Sequence, residues 1–137
     1  MSEAFVLDCS VTMAWCFEDE ADSYDDKTLR MLETGHAFVP GIWVLEVANV
    51  LLVAERHKRL SKADTARFVE LLQSLPIRVE PIHTSGEMDR LLALARGTGL
   101  SSYDACYLDL AMRRGLALAT LDKPLRRAAK RHHVALV

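Results

Sequence analysis

Phe5-Val6-Leu7-Asp8-Cys9-Ser10-Val11 is a continuous apolar run that stops at an acid and passes into a helical pattern. Large apolar residues in succession, without alternation, suit a short strand covered on both faces. The helix that follows is expected from Ser10 through Phe17. The same strand-then-helix grammar returns further along. Ala37-Phe38-Val39 reads as a second strand, ended by Pro40-Gly41 ahead of a long helix from Ile42 to Lys58. Ile77 to Ile82 and Leu116 to Leu121 read as two more strands. The last of these runs into Asp122 and a short helix from Pro124 to His132.

Between these pieces lie further helices with recognisable ends. One spans Asp25 to Glu33, after an acidic stretch from Glu18 to Asp26 that is a loop or a helix start. Another spans Lys62 to Leu75, capped by Ser61 and followed by Pro76. A third runs from Ser85 to Arg96 and is closed by Gly97. A fourth is capped by Ser101 or Ser102, reaches Arg114 and is closed by Gly115. Val134-Ala135-Leu136 reads as a terminal strand. Short apolar strands separated by helices predict a parallel sheet with helices on both faces. The Ile42–Lys58 helix is apolar almost all round and is expected to be largely buried. No repeat or linker interrupts the chain, so residues 1–137 are expected to form one domain.

Composition narrows the class. Half of the 137 residues are hydrophobic, which excludes a disordered chain. No apolar run approaches the roughly 18 residues of a membrane span. The opening Met1-Ser2-Glu3 is acidic where a secretory signal would be basic, so a cytoplasmic protein is expected. Three cysteines, Cys9, Cys16 and Cys106, form no CxxC pair, which argues against a disulfide framework or a zinc ribbon. Net charge is −2, yet from Arg113 to Val137 there are seven Lys or Arg and one acid. A near-neutral total can hide a basic surface. Arg126, Arg127 and Lys130 stand at helical spacing there, either as a solvated face or as contacts to phosphate.

Four acids carry the functional reading. Asp8 and Asp122 fall at the carboxyl ends of strands, where ligands of open α/β sheets sit. Each could instead be a helix N-cap. Asp104 follows Ser101 at the spacing of a capping box. Glu46 interrupts Ile42-Trp43-Val44-Leu45-Glu46-Val47-Ala48-Asn49, an apolar helix in which an unpaired carboxylate is costly. It belongs either to a narrow solvated stripe with Asn49 and Arg56 or to a cation site. Carboxylates about 5 Å apart repel by roughly 3 kcal/mol at an effective dielectric near 20, and a hard cation relieves that cost.

The segments Val6-Leu7-Asp8-Cys9-Ser10-Val11, Pro40 followed by Glu46-Val47-Ala48-Asn49, Leu100-Ser101-Ser102-Tyr103-Asp104-Ala105-Cys106-Tyr107-Leu108 and Ala119-Thr120-Leu121-Asp122-Lys123-Pro124-Leu125, taken in order, resemble the PIN-domain nucleases. Within that family the chain looks like the VapC-type toxins of toxin–antitoxin pairs. The resemblance implies a three-layer α/β/α sandwich with a short, mostly parallel sheet. It implies that Asp8, Glu46, Asp104 and Asp122 form an acidic pocket for Mg²⁺ or Mn²⁺, supported by Ser10, Asn49 and Thr120. It further implies RNA cleavage leaving 5′-phosphate and 3′-hydroxyl ends, a homodimer, and a small antitoxin that blocks the pocket. The net negative charge departs mildly from what RNA binding favours. An aspartyl-phosphate phosphatase would carry a second Asp where Ser10 stands. The remaining alternative is a non-catalytic PIN fold that binds RNA or protein, although such members usually lose one of the acids.

Overall fold

A computed structural model describes residues 3–17, 23–83 and 86–137. Its elements are β1 (Ala4–Leu7), α1 (Cys9–Cys16), α2 (Ser23–Met31), β2 (His36–Pro40), α3 (Ile42–Arg56), α4 (Lys62–Ser74), β3 (Ile77–Glu80), α5 (Glu87–Thr98), α6 (Ser102–Arg114), β4 (Ala117–Ala119) and α7 (Lys123–Arg131). The strands form one sheet in the order β3-β2-β1-β4, and every neighbouring pair is parallel. Helices cover both faces, as a parallel sheet requires, and the result is the α/β/α sandwich expected from the sequence.

β1 is central, and Phe5, Val6 and Leu7 are buried completely or nearly so. Chain order reverses here, because β2 lies on one side of β1 and β4 on the other. That makes the carboxyl ends of β1 and β4 a topological switch point, the place where such sheets open a crevice. β2 enters the sheet past Gly35, where a Cβ would stand 2.0 Å from the Glu3 carbonyl oxygen. Only a residue without a side chain permits that approach.

Several boundaries differ from the sequence reading. α5 ends at Thr98, and the left-handed residue that closes it is Gly99 (φ 75°), not Gly97. Its expected start at Ser85 lies outside the described residues, as do positions 18–22 of the acidic stretch. β4 stops at Ala119 because Thr120 and Leu121 leave the ladder to bond with Asp8 and Ser10. The C-terminal segment is a single parallel bridge, Leu118 to Leu136, rather than a strand.

The larger correction concerns α3, which is not largely buried. Trp43, Val47, Leu51 and Ala54 face the core along one stripe. Val44, Leu45, Leu52 and Val53 are exposed, Leu45 by 66%. All-round apolarity buries a helix only where neighbours surround it, and α3 packs against α1 and β2 on one side. A groove of ≈ 390 Å³ lies between α3, α4 and β3, lined by Trp43, Val47, Leu72 and Val79 among others.

α6 reaches across β1, β2 and β4. Charged pairs fix its far half. The buried Asp109 carboxylate accepts from Arg113 Nε at 2.8 Å and from Arg90 Nε of α5 at 3.4 Å. Glu80 at the end of β3 accepts from Arg114 Nη2 at 2.9 Å.

Candidate active site

Asp8 leaves β1 directly into α1 and is only 4% exposed. It occupies the N-cap position of α1, but its carboxylate makes no capping bond. Instead Asp8 Oδ2 accepts from Ser10 Oγ at 2.6 Å and from Thr120 Oγ1 at 2.7 Å. The Ser10 hydroxyl also accepts from the Leu121 amide at 3.0 Å, and Thr120 Oγ1 accepts from the Asp122 amide at 3.0 Å. The loop after β4 is thereby stitched to the loop after β1. Burial pushes the Asp8 carboxyl above its usual range, the two hydroxyl bonds pull it down, and Asp122 pushes it up again.

Asp122 does cap a helix. Its Oδ2 accepts from the Leu125 amide at 3.0 Å, the first turn of α7. The bond holds its carboxylate in place beside Asp8 and Asp104. Asp104 is different. In α4 the Asp64 carboxylate returns to the Ser61 amide and completes a capping box. In α6 only the serine half is made, from the Asp104 amide to Ser101 Oγ at 3.1 Å. The Asp104 carboxylate is left to face the other acids. Burial first, then Asp8, Asp122 and Glu46, push it up to about 6.

Glu46 is half-buried on α3 and bonds to neither Asn49 nor Arg56. Its Oε1 accepts from the Tyr107 hydroxyl of α6 at 2.5 Å. Burial raises its carboxyl, Tyr107 opposes that, and Asp8 adds to it. Asn49 lies one turn further on and is exposed, and its side chain makes no hydrogen bond among the described residues.

The four acids therefore meet in one field, although they come from β1, α3, α6 and the loop before α7. Among the described residues, no three acidic, His or Cys side chains stand close enough to cage a metal ion as they are. The donors are hard oxygens that raise one another's affinity for protons, the electrostatic condition a divalent cation relieves. That chemistry fits Mg²⁺ or Mn²⁺ in an open site. Cysteine chemistry does not fit, because burial, Glu46 and Asp8 hold the Cys9 thiol up at about 12.

The basic residues of α7 divide. Arg126 turns inward, and its Nη1 donates to the Thr120 carbonyl at 2.8 Å. Arg127 and Lys130 are exposed. Tyr107 was not singled out by the sequence reading. The available signal was a tyrosine three residues after Asp104 in an otherwise apolar stretch, since a buried phenol must find a partner.

Comparison with family models matches the PIN domain over residues 5–131. Solved structures with the same fold include PAE2754 from Pyrobaculum aerophilum, with 25% identity, a TM-score of 0.71, and coverage of 93% of this chain and 87% of that one. VapBC2 from Rickettsia felis, crystallised with a DNA fragment from its promoter, is similar at 12% identity and a TM-score of 0.68, over 98% and 97% of the two chains. FitAcB from Neisseria gonorrhoeae is similar at 20% identity and a TM-score of 0.64, over 96% and 95%. Comparison with curated proteins finds no significant match. The family match runs from the first residues of β1 to the last of α7, and the chain belongs to the PIN-domain family.

Proposed function

We propose that this chain, as one nuclease domain over residues 1–137, is a Mg²⁺-dependent endoribonuclease in which Mn²⁺ can substitute. The observation that carries this reading is the convergence of Asp8, Glu46, Asp104 and Asp122, with Asp104 pushed up to about 6 by burial and the other three. Four acids that face one another raise one another's energy, an arrangement suited to binding a cation. Asp8 and Asp104 would hold the cation, with the carboxylates of Glu46 and Asp122 adding to its affinity; when bound it would neutralise charge on the phosphate and on the leaving oxygen. Glu46 and Asp122 orient the attacking water, and Glu46 takes its proton. Ser10 and Thr120 hold Asp8 in its rotamer. Arg127 and Lys130 lie on the exposed side of α7 and contact the RNA backbone.

The likeness to VapBC2 and to a toxin–antitoxin complex from Klebsiella pneumoniae (17% identity, TM-score 0.62) supports a toxin of a VapBC-type pair inhibited by a small antitoxin, and we propose that it works in the cytoplasm as a homodimer. The exposed apolar side of α3 supports a protein partner on that surface. Among the described residues, no helix is long and apolar enough to cross a membrane.

The test is cleavage of a single-stranded RNA by purified protein. EDTA abolishes it, and excess Mg²⁺ or Mn²⁺ restores it. Cleavage that persists in chelator contradicts the reading, and RNA binding without cleavage under any metal favours the non-catalytic module.

A further inference from the structure

Tyr107 is fully buried on α6, one turn after Asp104. Its hydroxyl donates to Glu46 Oε1 at 2.5 Å and joins two helices across 61 positions of chain. Among the described residues that is the only hydrogen bond the Glu46 side chain makes, whereas Asp8 is held by Ser10 and Thr120, and Asp122 by the amide of Leu125. The body of α3 is fixed nearby: Trp43 Nε1 donates to Thr12 Oγ1 at 2.9 Å, and Thr12 Oγ1 donates to the Asp8 carbonyl at 3.3 Å. The backbone beneath Glu46 is thus tied to the Asp8 turn, and the carboxylate above it is tied to Tyr107. A half-buried glutamate has several rotatable bonds and three acids to avoid. Without an anchor it gains entropy and loses repulsion by swinging out to water.

We infer that Tyr107 is a positioning residue that aims Glu46 at the acidic pocket, so that cation affinity depends on a hydroxyl that touches no cation. The inference rests on the metal-dependent reading above. Loss of such a supporting partner typically costs about 10–100-fold in metal affinity or activity.

The experiment uses Mg²⁺ alone, followed by calorimetric titration and by thermal melting of the full chain. The proteins are wild type, Tyr107→Phe, Glu46→Gln, the double variant, and Ser61→Ala as a destabilised control remote from the pocket. Tyr107→Phe is expected to fold and to raise the Mg²⁺ Kd by about 10-fold. It is expected to add nothing in the Glu46→Gln background. Ser61→Ala should melt lower with its Mg²⁺ Kd unchanged. Tyr107→Met, which fills the same space without a donor, gives the same shift should the phenylalanine variant not be recovered folded. A wild-type Kd in Tyr107→Phe, or an undiminished loss in the Glu46→Gln background, overturns the inference alone. A wild type that neither binds Mg²⁺ nor cleaves RNA overturns the nuclease reading and this inference with it.

Discussion

Thr120 Oγ1 donates to Asp8 Oδ2 at 2.7 Å, a bond between residues 112 positions apart and wholly out of water. The same hydroxyl oxygen accepts from the Asp122 amide at 3.0 Å. One threonine therefore sets the spacing of two of the four acids. It can do so because β1 and β4 are neighbours with Leu7 in register with Ala119.

Thr120→Val keeps the shape and removes that link. It leaves a buried carboxylate and a backbone amide each short of a partner, and unsatisfied buried groups cost about 1–3 kcal/mol. The variant is expected to melt lower and to cleave RNA more slowly by about 10-fold or more. Thr120→Ser should recover most of both, measured by thermal melting and single-turnover cleavage.

Asp104 makes stability depend on pH in a stated direction. Its carboxyl is raised from 3.8 to about 6 in the folded chain. Between those values the folded state holds the proton more tightly than the unfolded state, so stability falls as pH rises. Below about 4 the penalty is absent, and above about 6 it is fully present. Metal-free wild type should therefore lose melting temperature across that window by more than Asp104→Asn does. Near pH 7 the metal-free Asn variant should melt higher than wild type. Saturating Mg²⁺ should stabilise wild type by mass action and the variant much less. Equal pH profiles in the two proteins would remove Asp104 from the acid cluster.

The split among the basic residues of α7 predicts two phenotypes. Arg127→Glu with Lys130→Glu should weaken RNA binding and flatten its salt dependence by about 0.7–0.9 per lost phosphate contact, with melting unchanged. Arg126→Glu should lower the melting temperature, because its guanidinium supports the Thr120 carbonyl. Filter binding across a salt series, alongside melting curves, separates the two.

The parallel sheet was legible because Phe5–Leu7, Ala37–Val39 and Leu116–Ala119 are apolar runs that end at or shortly before Asp8, Pro40 and Asp122, although β3, Ile77-Arg78-Val79-Glu80, alternates. Helix ends marked by side-chain caps, such as Ser61 and Ser101, were legible as well. Gly97 and Gly99 look alike as helix stops, because sequence does not reveal which of two nearby glycines adopts positive φ, and Gly99 does. The exposure of α3 was hidden for another reason: its sequence carries two apolar faces, and the chain supplies a neighbour for one. At the site, Asp8, Asp104 and Asp122 each matched a helix cap equally well on paper. Only the folded geometry separates Asp122, which caps, from Asp8, which does not. The tyrosine three residues after Asp104 is visible in the sequence, but its partner Glu46 lies 61 positions away, a relation that no local pattern encodes.

The most direct test of the central claim is RNA cleavage by purified Asp8→Asn protein in saturating Mg²⁺, beside wild type and Glu70→Ala, an exposed α4 position remote from the acids. Asp8→Asn keeps the size of the side chain and a carbonyl oxygen for Ser10 and Thr120, so circular dichroism should show a folded protein. The account predicts that its cleavage falls by about 100-fold or more, beyond the effect of losing a supporting bond, while Glu70→Ala cleaves as wild type does. Near-normal cleavage by folded Asp8→Asn would contradict it.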